Sequence, residues 1–108
     1  ASWVPGWLHK LDFVERSTRP VAPRSRRASD VARERVRFAP FAGEQIGWLI
    51  EQLGPGMLCF ASDYPHPEGS SDPIRKFEAT MDGVAPAAVE AFYAGNGERF
   101  LGTAPSPV

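Results

Sequence analysis

The chain has 108 residues, of which 43% are hydrophobic and 23% charged, and its formal net charge is −1. These values are ordinary for one globular domain, and no apolar stretch approaches the roughly 18 residues of a membrane-spanning helix, so a membrane partner is excluded. The single cysteine, Cys59, excludes an internal disulfide and lies in an apolar run. We therefore expect a buried, reduced thiol and a cytoplasmic location. The sequence begins without an initiator methionine or a signal pattern, which predicts a segment of a longer protein.

Positive charge is concentrated in one segment. Residues 16–37 hold eight of the twelve basic residues and two acids, so this segment carries +6. Such a run can bind phosphate or nucleic acid. However, the segment has no aromatic residue on which a base could stack. We therefore predict a solvated connection and no nucleic-acid partner.

Apolar residues at helical spacing predict most of the elements. Asp72 and Pro73 suit the start of a helix, as N-cap and first-turn residue, and Ser29 is expected to cap another. Gly54 with Pro55 ends the clearest helix, because glycine adopts the left-handed cap and proline cannot continue a helix. Loops are predicted at 17–28 and after the second strand, and a tail at 103–108. The segments predicted to be helical are 3–14, 30–34, 43–53, 72–82 and 86–93, with a last turn at 96–101.

Two strands are predicted between these helices. Residues 35–39 place Val36 and Phe38 two apart and are followed by Pro40. Residues 57–61 are wholly apolar, which is typical of a parallel strand buried on both faces. The order helix, strand, helix, strand, helix, helix indicates parallel β/α units, so the predicted fold class is α/β. Two strands alone make a marginal sheet, so further strands are expected in the longer protein.

The polar loop after the second strand holds the candidate site. Residues 60–69 read Phe-Ala-Ser-Asp-Tyr-Pro-His-Pro-Glu-Gly. Asp63 could ligate a divalent metal or act as a general base, or it could bind backbone amides within a turn. His66 could ligate a metal or transfer a proton, or it could pack against Tyr64. Glu68 is expected to be solvated. With two histidines in all, the chain cannot build a three-histidine zinc site by itself.

Several motifs together resemble a known family. The matching pieces are Ala-Ser-Trp-Val-Pro at 1–5 with Leu-Asp at 11–12, Val-Arg-Phe at 36–38, Ser-Asp-Tyr-Pro-His-Pro-Glu-Gly at 62–69, and Asn96 with Phe-Leu-Gly at 100–102. Over residues 1–102 the chain resembles the C-terminal part of amidohydrolase-related (amidohydrolase-2) proteins. This branch of the metal-dependent hydrolase superfamily includes aminocarboxymuconate-semialdehyde and resorcylate-type decarboxylases.

The resemblance implies a fold and a function. It implies that residues 1–102 form the end of a (β/α)8 TIM barrel, with 35–39 and 57–61 as its seventh and eighth strands. Asp63 would be the metal-binding and catalytic aspartate, and His66 would border the active site as a second catalytic residue. The cofactor would be a divalent metal, zinc by preference, whose other ligands precede Ala1. The intact protein would hydrolyse or decarboxylate a small carboxylated or cyclic substrate, with a homo-oligomer as an open possibility.

A second interpretation comes from a different class of protein. The chain could be a non-catalytic, truncated α/β remnant that acts by association. On either interpretation we expect the isolated 108 residues to lack activity, because the implied ligand histidines are absent.

Overall fold

The computed structural model describes residues 1–18 and 25–103. The helices of the described part are α1 (Val4–Ser17), α2 (Ala28–Arg35), α3 (Ile46–Leu53), α4 (Pro73–Glu78), α5 (Pro86–Glu90), a π-helical turn (Ala91–Gly95) and α6 (Asn96–Leu101). The last three follow one another without interruption. No helix of the described residues is long and apolar enough to cross a membrane. The predicted loop at 17–28 and the tail at 103–108 fall partly outside the described residues.

The predicted α/β fold class, as the C-terminal portion of a TIM barrel, is wrong. Helix makes up 54% of the structure, strand-like pairing 2%, and the described residues form no sheet. The two predicted strands meet at a single parallel bridge between Phe38 and Leu58. There the amide of Phe38 donates to Met57 and the amide of Cys59 donates to Phe38, each at 2.9 Å.

The pairing stops for a physical reason. Pro40 follows the first segment and has no amide to donate. In the second segment, the amide of Phe60 donates to the carbonyl of Phe92 at 2.9 Å, so it bonds to the π-helical turn and not to a strand. The apolar run at 57–61 is thus a buried extended segment under helices. Met57 and Leu58 are each 1% exposed.

The start of α2 is held by acidic side chains of α1. The amide of Ser29 donates to Asp12 Oδ1 at 3.0 Å, and its hydroxyl donates to Asp12 Oδ2 at 2.7 Å. The amide of Ala28 donates to Glu15 Oε2 at 2.9 Å. These carboxylates satisfy amides that have no partner within the helix and lie at its positive end. The second helix was therefore predicted correctly, but the expected cap was wrong, because Ser29 lies inside α2 and Asp12 binds its free amide.

Helix α4 ends four residues before the predicted end at 82, because the chain turns to meet α3. The carbonyl of Thr80 accepts the amide of Gly47 at 3.0 Å, and the hydroxyl of Thr80 accepts the amide of Ile46 at 3.1 Å. A Cβ at Gly47 would lie 2.6 Å from that carbonyl oxygen, so glycine permits the close approach. Asp72 occupies the N-cap position but does not cap α4. Its carboxylate instead accepts a hydrogen bond from Arg75 Nε.

The core joins α1 and α3 to the last helical segment. Its buried apolar residues are Val4, Leu8, Ala32, Ile46, Leu49, Leu53, Met57, Leu58, Phe77, Met81 and Phe92. Phe60, Phe77 and Phe92 form edge-to-face ring pairs with centroids 5.3 to 6.2 Å apart, a geometry that favours aromatic contact. This cluster lies directly beneath the start of the 62–70 loop.

Candidate functional site

The candidate site is a closed loop at residues 62–70. The amide of Ser70 donates to the carbonyl of Ser62 at 3.0 Å and joins the two ends. Inside the loop, the amide of His66 donates to the carbonyl of Asp63, and the amide of Gly69 donates to the carbonyl of His66, both at 2.9 Å. The Tyr64–Pro65 peptide is cis. The backbone itself therefore sets the position of each side chain in the loop.

Asp63 adopts an unusual backbone conformation. Its φ of 51° lies in the left-handed region, where aspartate and asparagine are tolerated better than most residues. Gly69 packs against the same peptide: a Cβ there would lie 2.1 Å from the carbonyl oxygen of Asp63. The contact leaves no room for a side chain. Gly69 thus holds the backbone of Asp63 in place.

The structure brings the two predicted catalytic side chains into contact. His66 Nδ1 lies 2.9 Å from Asp63 Oδ1. In the tautomer with its proton on Nδ1, the ring donates a hydrogen bond to the carboxylate, and Nε2 is then left as an acceptor. The side chain of His66 is 70% exposed and that of Asp63 is 40% exposed, so Nε2 is open to small molecules from solution. We refer to these two residues as the Asp–His pair.

The expected zinc centre does not form from the described residues. They contain no group of three or more His, Cys, Asp or Glu side chains that could hold a metal ion. The Asp–His pair supplies at most two ligands, of which Nε2 of His66 is open to solution. Structural and catalytic zinc sites use at least three protein ligands. The pair alone therefore does not make a zinc site, and the metal implied by the family resemblance stays a prediction.

A shallow surface cavity of about 310 Å³ adjoins the loop. Its lining residues are Ser62, Tyr64, Ser70, Ser71 and Pro73. Tyr64 is 67% exposed, and the alternative in which His66 packs against it stays a prediction. The cavity places hydroxyl groups of the loop beside a space of small-molecule size.

The positioning roles of two loop serines were missed from the sequence. The hydroxyl of Ser62 accepts the amide of Tyr64 at 3.3 Å, and the hydroxyl of Ser70 accepts the amide of Asp72 at 3.0 Å. Ser70 is buried, as is rare for a polar residue unless it is bonded. Together with Gly69, these serines position the loop. The sequence did contain a signal for these roles, because serines lie at both ends of this proline-containing loop and a glycine precedes the second one.

Cys59 is half-buried and has no disulfide partner. Burial raises the pKa of its thiol, and the nearby guanidinium groups of Arg37 and Arg99 oppose that shift without cancelling it. A thiol with a raised pKa is a poor nucleophile at neutral pH. The expected reduced thiol is thus half-buried, and it takes no part in the site.

No family model, curated protein or solved structure matches this chain. The likeness to amidohydrolase-related proteins therefore stays a prediction from the motifs alone.

Proposed function

We propose that the Asp–His pair performs general acid–base catalysis in the hydrolysis or decarboxylation of a small carboxylated or cyclic substrate. The observation that supports this most directly is the 2.9 Å contact between His66 Nδ1 and Asp63 Oδ1. A carboxylate that holds one ring nitrogen fixes the tautomer and leaves the other nitrogen available for proton transfer. The motifs around Asp63 supply the expected reaction class.

Each residue has a distinct part in this chemistry. In hydrolysis, His66 Nε2 removes a proton from a water molecule while the oxygen of that water attacks the substrate carbon. When the bond from this carbon to the leaving group breaks, the ring gives the proton to the leaving group. In decarboxylation, the bond between the carboxylate carbon and the neighbouring carbon breaks, and the carboxylate leaves as CO2. The neighbouring carbon keeps the electron pair of that bond and takes up a proton from the protonated His66 ring. Asp63 stabilises the protonated ring in both cases. Such proton transfer contributes about 10²- to 10⁴-fold to rate.

The exposure of the pair limits what the chain does alone. Because both side chains are solvated, water screens the charge interaction between them. Full catalysis needs a covered site, in which the same contact is much stronger. The sequence predicts no activity for the isolated 108 residues, because the implied ligand histidines are absent. Since the Asp–His pair is complete within this chain, we instead propose a weak activity for it alone, and a larger rate where other polypeptide or the substrate covers the loop.

The tautomer of His66 tests the geometry without any substrate. In ¹⁵N-labelled protein at neutral pH, we expect the His66 ring to carry its proton on Nδ1, whereas His9, the other histidine, serves as an internal reference. Asp63→Asn keeps a residue suited to positive φ but removes the charge, and should shift the ring towards the other tautomer. An unchanged tautomer in that variant would show that the pair is not coupled.

Activity is tested with small aromatic carboxylates and cyclic amides or lactones, followed by ¹³C NMR for released CO2 or opened rings. His66→Gln and Asp63→Asn should abolish any turnover. Glu68→Gln is the matched control, since it changes an exposed acid of the same loop without altering the pair. Equal turnover in all four proteins would refute the proposed role of the pair.

A second candidate function is self-association. Large apolar side chains are exposed among the described residues, including Trp3 at 60%, Phe100 at 56% and Leu101 at 75%. Exposed apolar groups of this size mark association surfaces when they are contiguous. Sedimentation velocity over a hundredfold concentration range tests this, and Leu101→Lys should weaken any oligomer. A monomer at every concentration would remove this candidate.

A cytoplasmic location stays a prediction from the single cysteine.

A further inference from the structure

A polar cavity of about 250 Å³ lies where α1, α2 and α3 meet, and none of its lining residues belongs to the 62–70 loop. Helix α1 contributes His9 and Asp12, and Gln52 comes from α3. Arg27, at the N-cap of α2, and Arg33, within α2, complete its charged lining. The two arginines belong to the basic segment at 16–37, so the cavity lies within the most positive part of the sequence.

Within the described part of the chain, the cavity offers N–H donors without a partner, whereas its carboxylate, Asp12, already accepts hydrogen bonds from Ser29. Asp12 binds the amide of Ser29 through Oδ1 at 3.0 Å and the hydroxyl of Ser29 through Oδ2 at 2.7 Å. These bonds lower the pKa of Asp12, the hydroxyl bond most, so the carboxylate stays ionised and committed to the helix start. The remaining lining groups are guanidinium, imidazole and amide groups. The polar groups of the cavity that remain without a partner in the described ranges are therefore mainly N–H donors, and N–H donors bind anions.

Both guanidinium groups have N–H groups to spare, and Arg33 is held more firmly than Arg27, whose side chain is 71% exposed. Arg33 donates through Nη1 to the carbonyl of Leu53 at the end of α3, and its side chain is half-buried. Arg27 donates through Nε and Nη2 to Asp30 at 3.1 and 3.2 Å. These contacts leave Nη1 of Arg27, and Nε and Nη2 of Arg33, without a partner among the described residues. A guanidinium whose orientation is already fixed loses little entropy when it binds a phosphate oxygen.

We propose that this cavity binds a small phosphate-bearing anion, either free phosphate or a phosphate monoester. Arginine forks match the oxygen geometry of phosphate, and two of them on one helix can bind the same group from two sides. The described lining contains no Phe, Tyr or Trp side chain, the residues on which nucleobases stack best, so we expect the phosphate and not a base to be the group that is recognised. This site is independent of the Asp–His pair, and its failure would leave that proposal unchanged.

The test is a ¹H–¹⁵N NMR titration of the 108-residue chain with inorganic phosphate at low ionic strength. We expect saturable shifts at the amides of His9, Ser29 and Gln52. A parallel titration with glycerol 3-phosphate distinguishes the two sources, because tighter binding of the ester identifies a monoester as the ligand. Shifts that rise linearly without saturation would overturn the proposal, because they would show binding without a formed site.

Arginine variants separate the cavity from general positive charge. Arg33→Gln and Arg27→Gln should each weaken phosphate binding about tenfold, the loss expected for one charge-assisted hydrogen bond. Arg35→Gln is the matched control, because it removes the same charge from the same helix at an exposed position outside the cavity. Equal weakening in all three variants would refute a specific site. Arg27 is 71% exposed, so its variant tests the proposal even if replacing Arg33 disturbs folding, which circular dichroism would reveal.

Discussion

Replacing Asn96 with alanine should destabilise the protein strongly, because this side chain joins three parts of the fold. Asn96 is 1% exposed. Its Nδ2 donates to the carbonyl of Pro55 at 2.6 Å and to that of Leu58 at 2.8 Å, and its Oδ1 accepts Arg99 Nη2 at 2.8 Å. The side-chain amide of Asn96 thereby attaches α6 to the turn that follows α3 and to the extended segment that contains Leu58.

The expected loss follows from what alanine leaves behind. The bond to Leu58 is buried, so its carbonyl would lose a donor that water replaces poorly, while the bond to Pro55 is partly buried. Leaving a buried polar group without a partner costs about 1–3 kcal/mol. With the carbonyl of Leu58 near the middle of that range and that of Pro55 at its lower end, we expect a loss of about 3 kcal/mol. Domains of this size have a free energy of unfolding of about 5–15 kcal/mol, so this loss is a large fraction.

Urea unfolding followed by circular dichroism measures this loss. Asn96→Ala should lower the midpoint without changing the slope, since the surface exposed on unfolding stays the same. Gln52→Ala is the matched control, because it removes an exposed amide from α3 and should change the free energy of unfolding by less than about 0.5 kcal/mol. A loss below about 1 kcal/mol for Asn96→Ala would refute the reasoning, because the two carbonyls would then have found other partners.

Three further changes test other parts of the structure. Phe77→Ala should cost about 3–5 kcal/mol in urea unfolding, because Phe77 is fully buried among aromatic rings; a smaller loss would mean that the core collapses around it. Gly69→Ala should abolish the Nδ1 tautomer of the Asp–His pair in ¹⁵N spectra, since its Cβ would meet the Asp63 carbonyl at 2.1 Å, whereas Gly97→Ala, with open space around it, should not. Hydrogen bonds from Ser29 lower the pKa of Asp12. The ionised Asp12 should therefore stabilise the fold fully above pH 3.8, its ordinary pKa, and this stabilisation should be lost as the pH falls through the lower pKa of the folded state. In acid unfolding experiments, wild type and Asp12→Asn should then become equally stable at low pH. A difference in stability that stays constant with pH would contradict this.

The helices were predictable where local pattern and tertiary packing agree. In α3, the apolar spacing of Ile46, Leu49, Ile50 and Leu53 predicts one buried face. Three of these residues are buried and Ile50 is half-buried. Gly54 ends α3 as predicted, but with φ 81° and ψ 169° it has a different positive-φ conformation from the left-handed cap that was expected. The beginning of α3 was predicted three residues too early, at residue 43. The reason is a contact distant in sequence, because the first amides of α3 bind Thr80.

The sheet was predicted wrongly because an apolar run does not show which backbone groups it will bond to. Residues 57–61 have the composition of a buried strand, and they are extended and largely buried. A strand is defined by its hydrogen-bonding partners, which composition does not reveal. The amide of Phe60 bonds to Phe92 in the π-helical turn, and Asn96 binds the carbonyl of Leu58. Helical partners thus occupy the backbone groups that a sheet would have used.

The Asp–His pair survives this correction because a sheet does not position it. Both residues were predicted to belong to the site, but the sequence did not show their contact, the left-handed conformation of Asp63 or the close approach of Gly69. Those local features, with the bond between the ends of the loop, bring Nδ1 of His66 to 2.9 Å from the carboxylate. The geometry of the pair therefore depends on contacts within residues 62–70 themselves. The coupling of the two side chains can consequently be tested on this chain directly through the tautomer of His66, whereas the rate of turnover also depends on what covers the loop.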